Sequence, residues 1–386
     1  MRITLIHSLY RPYYRGGAEV AVETMAVGLK NLGHQVAVIT VGRQAETEVL
    51  DGIKIYRIKP CNLFNFIDIN RQGVVKRFFW HLIDMFSEIQ AWRIYQALRQ
   101  ERPDLIIGHN LKGLGYYVPR LARTLKIKYV QVIHDMQYLH PSGLLADYSH
   151  QGLGARVYGW FCRRLLGSPA LAVFPSRFIK HIYDKNGFFP RSPKIVLGNP
   201  LAEVSPAAPA VAADWPLDYL YLGQLEMYKG VIDLIEAFKE VRGEATLKIV
   251  GEGGAQEAAE IMAQDDGRIV FCGRLSRQEL EQKIWPRADL LINPSRVGES
   301  FGLVVAEALA HGVPAIVSNI GALPELIADG QNGWLIPPGD KEALRDKLQD
   351  IIDEHLITEK IKENCLARAH DFEVGKYLER LLGLVR

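Results

Sequence analysis

The sequence has few cysteines, little net charge and no long apolar run. Its four cysteines lie far apart without C-x-x-C spacing, so we expect no disulfide framework and no cysteine metal site. The formal charge of +2 argues against the concentrated basic surface of a general nucleic-acid-binding protein. No stretch reaches the roughly 18 apolar residues of a membrane-spanning helix. The first residues form a strand pattern too short for a signal peptide, so a cytoplasmic location is predicted.

The length of 386 residues exceeds what one hydrophobic core usually supports, so two domains are predicted. In the first half, short apolar runs alternate with amphipathic helices, which is typical of a doubly wound parallel sheet. Strands are predicted at residues 3–7, 35–40, 53–58, 105–108, 129–133 and 170–174, with a helix at 18–32.

The second half repeats the same alternation after a Pro/Ala-rich stretch with little charge. Strands are predicted at residues 219–222, 246–250, 269–271, 290–293 and 315–318, and helices at 231–241, 277–285 and 301–311. These patterns predict a domain at 1–200, a linker at 201–217, a second domain at 218–371 and a last helix at about 372–386.

Two glutamates near the C-terminus, Glu299 and Glu307, are separated by seven residues. Glu299 lies at the N-terminal end of a predicted apolar helix, and Glu307 lies about two turns further along it. The two residues are therefore about 12 Å apart along the helix axis. Free N–H groups of Phe301, Gly302 and Leu303 at the helix start predict an anion site, and a glycine lets a phosphate approach closely. The alternative is that both carboxylates are simply exposed to solvent. An apolar helix, however, has few positions that face solvent, and a buried carboxylate needs a partner.

Glycines and one lysine follow other strands of the second half. Lys229, at the mouth of helix 231–241, suits a phosphate, and its alternative is an exposed lysine capping a loop. Gly251 follows strand 246–250, where a tight strand-to-helix connection is an equal alternative.

Three residues of the first half occupy comparable positions. Gly16 and Gly17 connect the first strand to the first helix, where the main chain can approach an anion; simple helix entry is the alternative. His134 follows strand 129–133 at the edge where ligands gather in open α/β sheets, with a structural histidine as its alternative. His109 and His140 receive no role.

The ordered motifs resemble the retaining glycosyltransferase family 4, whose members have the GT-B fold. Besides the two glutamates, the resemblance rests on residues 308–314, 321–327 and 332–340, and it is strongest from 219 to 340. It implies two Rossmann-like domains facing a deep cleft, an N-terminal acceptor domain and a C-terminal nucleotide-sugar domain. It also implies that the last helix crosses back to the first domain.

The resemblance also implies roles for individual residues. Glu299 would orient the sugar, Glu307 would hold the ribose, and Lys229 would stabilise the departing diphosphate. His134 would be an active-site histidine that contacts donor sugar hydroxyls, so Glu299, Lys229 and His134 are the predicted catalytic residues. The remaining donor contacts would come from residues at strand ends and helix starts: Gly16, Gly17, His134, Gln224, Gly251, Arg274, Phe301, Gly302 and Leu303.

Gln224 departs from the family pattern, which has an arginine at this position. A glutamine can donate a hydrogen bond to phosphate but brings neither a charge nor a bidentate fork. Arg296 and Arg274 are candidates to supply the missing charge, with Arg296 the first choice.

The predicted reaction is retaining, metal-independent transfer of a sugar from a UDP- or GDP-linked donor to the hydroxyl of a glycan or lipid-linked acceptor. No Asp-x-Asp pair ends a predicted strand to hold a divalent metal, and no cofactor beyond the nucleotide-sugar co-substrate is expected. One alternative, favoured by Gln224, is a catalytically weak nucleotide-sugar-binding subunit that acts through a partner. A GT-B epimerase is a third option without apparent signatures.

Two stretches, residues 71–99 and 156–164, mix aromatic and basic side chains. Tryptophan together with lysine or arginine suits a lipid headgroup layer, so an anionic membrane surface is a predicted partner. The alternative is that both stretches are ordinary helices whose aromatic residues lie in the core.

Overall fold

The computed structural model describes residues 1–144, 152–202 and 216–385, except for the side chain of residue 70. The chain divides into two compact α/β units, which confirms the predicted fold class. Unit 1 comprises Met1–Ala202 and Val374–Arg386, and unit 2 comprises Glu203–Glu373. Most of the predicted linker, residues 203–215, lies outside the described residues.

Unit 1 is built on an eight-stranded sheet in the order β3-β4-β2-β1-β5-β6-β7-β8. All its strand pairs are parallel except β3 with β4. The strands are β1 (Arg2–Ile6), β2 (Gln35–Val41), β3 (Glu46–Leu50), β4 (Ile53–Ile58), β5 (Leu105–Gly108), β6 (Lys128–Val132), β7 (Leu171–Phe174) and β8 (Lys194–Val196). The helices are α1 (Gly17–Asn31), α2 (Val74–Met85), α3 (Glu88–Glu101), α4 (Val118–Thr124), α5 (Leu153–Leu166), α6 (Arg177–Lys185) and α13 (Val374–Val385).

Side chains alternate between the two faces of this sheet, and each face carries its own core. On one face Ile3 and Leu5 of β1 join the apolar residues of α1 and α13. On the other face Ile6 belongs to a core that includes Trp80. Helices α1 and α13 pack closely, because a Cβ on Gly28 would lie 2.6 Å from Val374 Cγ2.

Unit 2 contains a six-stranded parallel sheet in the order β11-β10-β9-β12-β13-β14. The strands are β9 (Leu217–Leu222), β10 (Ala245–Val250), β11 (Ile269–Gly273), β12 (Leu290–Asn293), β13 (Ala315–Ser318) and β14 (Gly333–Ile336). The helices are α7 (Val231–Glu240), α8 (Gln256–Ala263), α9 (Arg277–Glu279), α10 (Leu303–Ala310), α11 (Lys341–Asp353) and α12 (Glu359–Ala369).

The predicted helix at 277–285 is broken in the structure. The α-helical part α9 gives way to a π-helical turn at Leu280–Ile284 and a 3₁₀ turn at Trp285–Arg287. Pro286 accounts for the end, because its ring removes an N–H and clashes with a continuing helix. Strands β3, β8 and β14 were not predicted; β3 is polar and partly exposed, as suits an edge strand. Among the described helices, none is both long and apolar enough to cross a membrane.

Candidate functional site

The best-defined polar cluster of unit 2 lies at the carboxyl edge of its sheet. Strands β9 and β12 are parallel neighbours, so the segments that follow them meet at this edge. Lys229 follows β9 and Glu299 follows β12, and the lysine Nζ lies 2.9 Å from Glu299 Oε1. Asn293, the last residue of β12, donates a second hydrogen bond to the same oxygen at 3.2 Å. The fold thus joins two predicted site residues from distant parts of the sequence.

The Lys229–Glu299 pair remains partly accessible, with 25% and 17% of the side chains exposed. Burial disfavours the charged form of the lysine, but the charge of Glu299 and the hydrogen bond to it outweigh burial and raise the pKa of Lys229. Lys229 is therefore a cation at neutral pH. Such a pair places an anion-binding group directly beside a hydrogen-bond acceptor.

Left-handed backbone conformations and close packing explain two glycines near this pair. Gly230 has a φ of +74°, and a Cβ there would lie 2.0 Å from the carbonyl oxygen of Pro294. Gly302 has a φ of +93°, and its Cβ would lie 2.7 Å from Leu323 Cδ2. The left-handed backbone conformation at position 302 therefore already favours glycine, whatever its predicted contact with a phosphate.

The predicted anion site at the start of α10 needs a correction. The helix begins at Leu303, with Gly302 as its N-cap, two residues later than predicted. Its free N–H groups are therefore those of the N-cap Gly302, Leu303 and the next two residues. The Phe301 side chain is buried and lies edge-to-face against Phe372 with ring centroids 5.3 Å apart, so only its backbone could contact a ligand.

Glu307 lies in the second turn of α10 and is half-buried. Burial raises the pKa of its carboxyl to about 7, although nearby Arg277 and His311 act to lower it. Its backbone carbonyl lies 2.8 Å from His311 Nδ1. Within the described part of unit 2 we find no hydrogen bond to the carboxylate itself, so the group is suited to accept one from a ligand hydroxyl.

The other predicted donor residues of unit 2 lie at the ends of β9, β10 and β11. Gly251 has a φ of +144°, and a Cβ there would lie 1.8 Å from the carbonyl oxygen of Gly223, which explains the glycine by close packing. The exposed Gln224 follows Gly223, and its carbonyl accepts a hydrogen bond from the Tyr221 hydroxyl at 2.7 Å. Arg274 directly follows β11 and is exposed.

Arg296 is not free to supply the positive charge that Gln224 lacks. Its Nε and Nη2 donate to Asp233 Oδ2 and Oδ1 at 2.6 and 2.5 Å, forming a bidentate pair. The guanidinium charge is therefore already balanced within unit 2, and Arg274 becomes the better candidate of the two.

In unit 1, a buried histidine cluster surrounds the predicted site residue His134. Its Nε2 lies 2.9 Å from His109 Nδ1, and the two rings stack with centroids 5.1 Å apart. His7 approaches both rings edge-on, with centroids at 5.9 and 6.0 Å. Burial, followed by the nearby His7, lowers the pKa of His134 to about 3, and burial also lowers the pKa of His109. Both are neutral hydrogen-bonding groups at physiological pH.

The loop before α1 connects to this cluster through Glu19. The Gly16 N–H donates to Glu19 Oε2 at 2.9 Å, and Glu19 Oε1 lies 3.6 Å from His7 Nε2. Burial alone would raise the pKa of Glu19, but His7 and the Gly16 N–H outweigh it and lower that pKa. A Cβ on Gly16 would meet no atom within 4 Å, so packing does not require this glycine. Gly17 is the first residue of α1.

Sequence reasoning missed the parts played by His7, His109 and Glu19. A signal was present, because His109 directly follows a predicted strand, as His134 does, and His7 is the last residue of another. What was lacking was the order β1-β5-β6, which makes those strand ends neighbours. In the described part of the chain, no group of three or more His, Cys, Asp or Glu residues is arranged to hold a metal ion.

Comparison with known proteins covers both units. Residues 15–201 match the family model described as Glycosyltransferase Family 4, and residues 216–354 match that described as Glycosyl transferases group 1. N-acetyl-alpha-D-glucosaminyl L-malate synthase from Bacillus anthracis is 31% identical over 355 residues, covering 88% of this chain and 86% of that protein.

Solved structures share the fold across the full length. Sucrose-phosphate synthase from Thermosynechococcus elongatus aligns with a TM-score of 0.76 at 19% identity, over 100% of this chain and 98% of that one. HepE from Anabaena in complex with UDP-glucose aligns with a TM-score of 0.72 at 18% identity, over 100% and 99%. The neighbouring structures are GT-B glycosyltransferases.

Proposed function

Because this chain belongs to the group 1 glycosyltransferases, we propose that it moves a sugar from a nucleotide-diphosphate donor to a hydroxyl acceptor with retention of configuration and without a metal. The observation that carries the proposal is the 2.9 Å contact between Lys229 and Glu299. It sets a cation for the diphosphate immediately beside a carboxylate for the sugar.

In the proposed reaction, the bond between the anomeric carbon and the diphosphate oxygen breaks while the acceptor oxygen bonds to the same face of that carbon. The acceptor proton passes to the departing phosphate oxygen. Lys229 and the first N–H groups of α10 stabilise the negative charge on that leaving group. Glu299 accepts hydrogen bonds from sugar hydroxyls, and Glu307 accepts one from the ribose.

The remaining donor contacts are proposals on the family resemblance. In unit 2 we assign the strand-end residues Gln224, Gly251 and Arg274 to the nucleotide. In unit 1 we assign Gly16 and Gly17 to the phosphates, and His134 to sugar hydroxyls. The neutral state of His134 suits this role, since a neutral imidazole both donates and accepts hydrogen bonds.

The biological setting that we propose is polysaccharide or glycolipid synthesis in the cytoplasm, with a glycan or lipid-linked acceptor. The UDP-glucose bound in the HepE structure supports a UDP-linked donor as the first to test, with GDP-linked sugars next. We expect no cofactor beyond the donor itself.

Thermal-shift screening against UDP-, GDP- and ADP-sugars tests the donor, followed by transfer assays and NMR assignment of the anomeric configuration of the product. We expect one nucleotide class to raise the melting temperature, an α-linked donor to give an α-linked product, and activity to survive excess EDTA. Loss of activity in EDTA that Mg²⁺ or Mn²⁺ restores would reject the metal-independent mechanism, and an inverted product would reject retention.

A second candidate function is a nucleotide-sugar-binding subunit with weak catalysis of its own. The exposed Gln224, together with the pairing of Arg296 with Asp233, favours it, because neither residue supplies the free positive charge of the arginine expected at position 224. Saturable donor binding without turnover, and turnover restored only by a partner protein, would support this candidate over the first.

A further inference from the structure

Helix α2 carries an apolar stripe that faces solvent. Its inward face is anchored by Trp80, which is fully buried and donates from Nε1 to the Phe64 carbonyl at 2.8 Å. The outward residues recur at helical spacing and are all at least 40% exposed: Val74, Val75, Phe78, Phe79, Leu82, Ile83 and Phe86. An amphipathic helix of a globular unit normally directs such a stripe into the core. Its exposure therefore indicates an interaction surface.

Helix α5 extends this surface. Its exposed residues Leu153, Val157 and Trp160 recur at spacings of four and three, and so share one face. The two helices touch where Phe86 meets Phe161, with ring centroids 5.4 Å apart. Past the end of α2, the exposed residues Ile89 and Trp92 continue the apolar character along α3. We call the exposed apolar residues of α2, α5 and the start of α3 the α2–α5 surface.

Basic side chains accompany this surface. On α2 the exposed Lys76 lies beside the half-exposed Arg77, whereas the acidic Asp84 is buried and accepts from the Gly113 N–H at 2.9 Å. Helix α5 has the exposed arginines 156 and 164 and no acidic residue. The guanidinium of Arg164 lies over the Trp160 ring at 5.4 Å. Glu88, in the first turn of α3, is acidic, so the balance is positive.

We propose that the α2–α5 surface docks unit 1 on an anionic lipid bilayer. Phenylalanine, tryptophan and aliphatic side chains enter the boundary between headgroups and acyl chains, while lysine and arginine remain at the headgroup level. The positive balance selects anionic lipid over a second copy of this chain, whose α2–α5 surface would present the same charges. The inference does not depend on the proposed reaction, although within that reaction it favours a lipid-linked acceptor.

Vesicle flotation of the full chain tests the proposal, with phosphatidylcholine vesicles containing or lacking phosphatidylglycerol. We expect binding to the anionic vesicles at low salt, weaker binding at high salt, and little binding to pure phosphatidylcholine. Phe78→Asp removes an inserted ring and should weaken binding roughly tenfold or more. Lys76→Glu replaces an attraction with a repulsion, and at roughly fivefold for each charge it should weaken binding about 25-fold.

Each variant has a matched control. Ile261 on α8 of unit 2 is as exposed as Phe78, at 59%, so Ile261→Asp adds the same charge on another surface. Lys185, the exposed last residue of α6 in unit 1, provides the charge reversal Lys185→Glu. Both controls should bind vesicles as the unaltered protein does, and thermal melting should show all four variants folded.

Absence of flotation, or equal loss in variants and controls, would overturn the proposal. Equal binding to neutral and anionic vesicles would overturn the assignment to anionic lipid. A dimer in analytical ultracentrifugation that Phe78→Asp dissociates, together with no vesicle binding, would show that a second copy covers the surface. Donor binding in the thermal-shift screen is a separate readout, so a protein that floats but binds no nucleotide sugar would contradict only the proposed reaction.

Discussion

Replacing Glu307 by glutamine should make the free protein more stable and donor binding weaker. The group is a half-buried carboxyl in α10 with a pKa raised to about 7, mainly by burial. Within the described part of unit 2 its carboxylate accepts no hydrogen bond that would compensate the charge. Glutamine has nearly the same shape but cannot ionise, so the substitution isolates the effect of the charge.

The stability effect has a definite sign. Because the folded-state pKa lies above the ordinary value of 4.5, the folded protein keeps a proton that the unfolded chain has lost between about pH 4.5 and 7. Stability contributed by this group is therefore present at low pH and falls as pH rises through that window. The full shift corresponds to at most about 3 kcal/mol at pH 8, where Glu307→Gln should be the more stable protein. The difference should vanish near pH 4.

Donor affinity should change in the opposite direction. A ribose hydroxyl that donates to Glu307 favours the ionised carboxylate, whose population at a pKa of about 7 falls from about nine-tenths at pH 8 to about one-tenth at pH 6. Affinity of the unaltered protein should then fall up to about tenfold over this range. Glu307→Gln should bind about ten- to a hundredfold more weakly at pH 8, the value of a charged hydrogen bond, with little pH dependence.

Denaturant unfolding and calorimetric titration at pH 6, 7 and 8 measure both effects. The ligand should be a nucleotide sugar rather than a nucleoside diphosphate, because a terminal phosphate itself titrates near pH 6. Glu257→Gln, at an exposed position in the first turn of α8, is the matched control and should change neither quantity. Unchanged affinity in Glu307→Gln would refute the ribose assignment, whereas unchanged stability at pH 8 would refute the burial of the charge.

Three further predictions concern Lys229, Arg296 and Gln224 of unit 2. Lys229→Met leaves the Glu299 carboxylate without its ammonium partner; it should lower stability by about 1–2 kcal/mol and weaken donor binding more than tenfold. Adding Glu299→Gln should recover the stability but not the binding, and full recovery of binding would contradict the phosphate role of Lys229. Arg296→Ala should lower stability by about 1–3 kcal/mol in urea unfolding, because the buried Asp233 loses its bidentate partner, with little direct effect on donor affinity. Gln224→Arg should raise donor affinity several-fold in calorimetry, and no gain would show that the site does not lack a charge there.

Local sequence patterns were enough to predict the α/β class. Buried parallel strands consist of short apolar runs bounded by turn residues, so β4, β5, β12 and β13 were predicted at their observed bounds. Strand β3 was missed because it lies at the sheet edge, where polar residues replace the apolar run. The E-x7-E spacing likewise singled out Glu299 and Glu307, although only Glu307 lies within α10, because the helix begins at Leu303 rather than near Phe301.

Contacts between distant segments were decided only by the tertiary structure. The pairing of Lys229 with Glu299 depends on β9 lying beside β12, and the histidine cluster depends on the order β1-β5-β6. Pairing of Arg296 with Asp233 likewise joins a loop after β12 to helix α7. Sheet order depends on how whole elements pack, so no local pattern of residues encodes it.

The orientation of helix α2 was likewise decided by the tertiary structure and not by the local sequence. The sequence by itself determined that residues 71–99 mix aromatic and basic side chains, with either a membrane-facing stretch or ordinary core-packed helices as interpretations. It did not determine which aromatic residues would be buried, because apolar residues occur on more than one face of this helix. Packing against the rest of unit 1 buried Trp80 and left Phe78 and Phe79 in solvent. Only one face of a helix can lie against a single core, and the tertiary structure selected it.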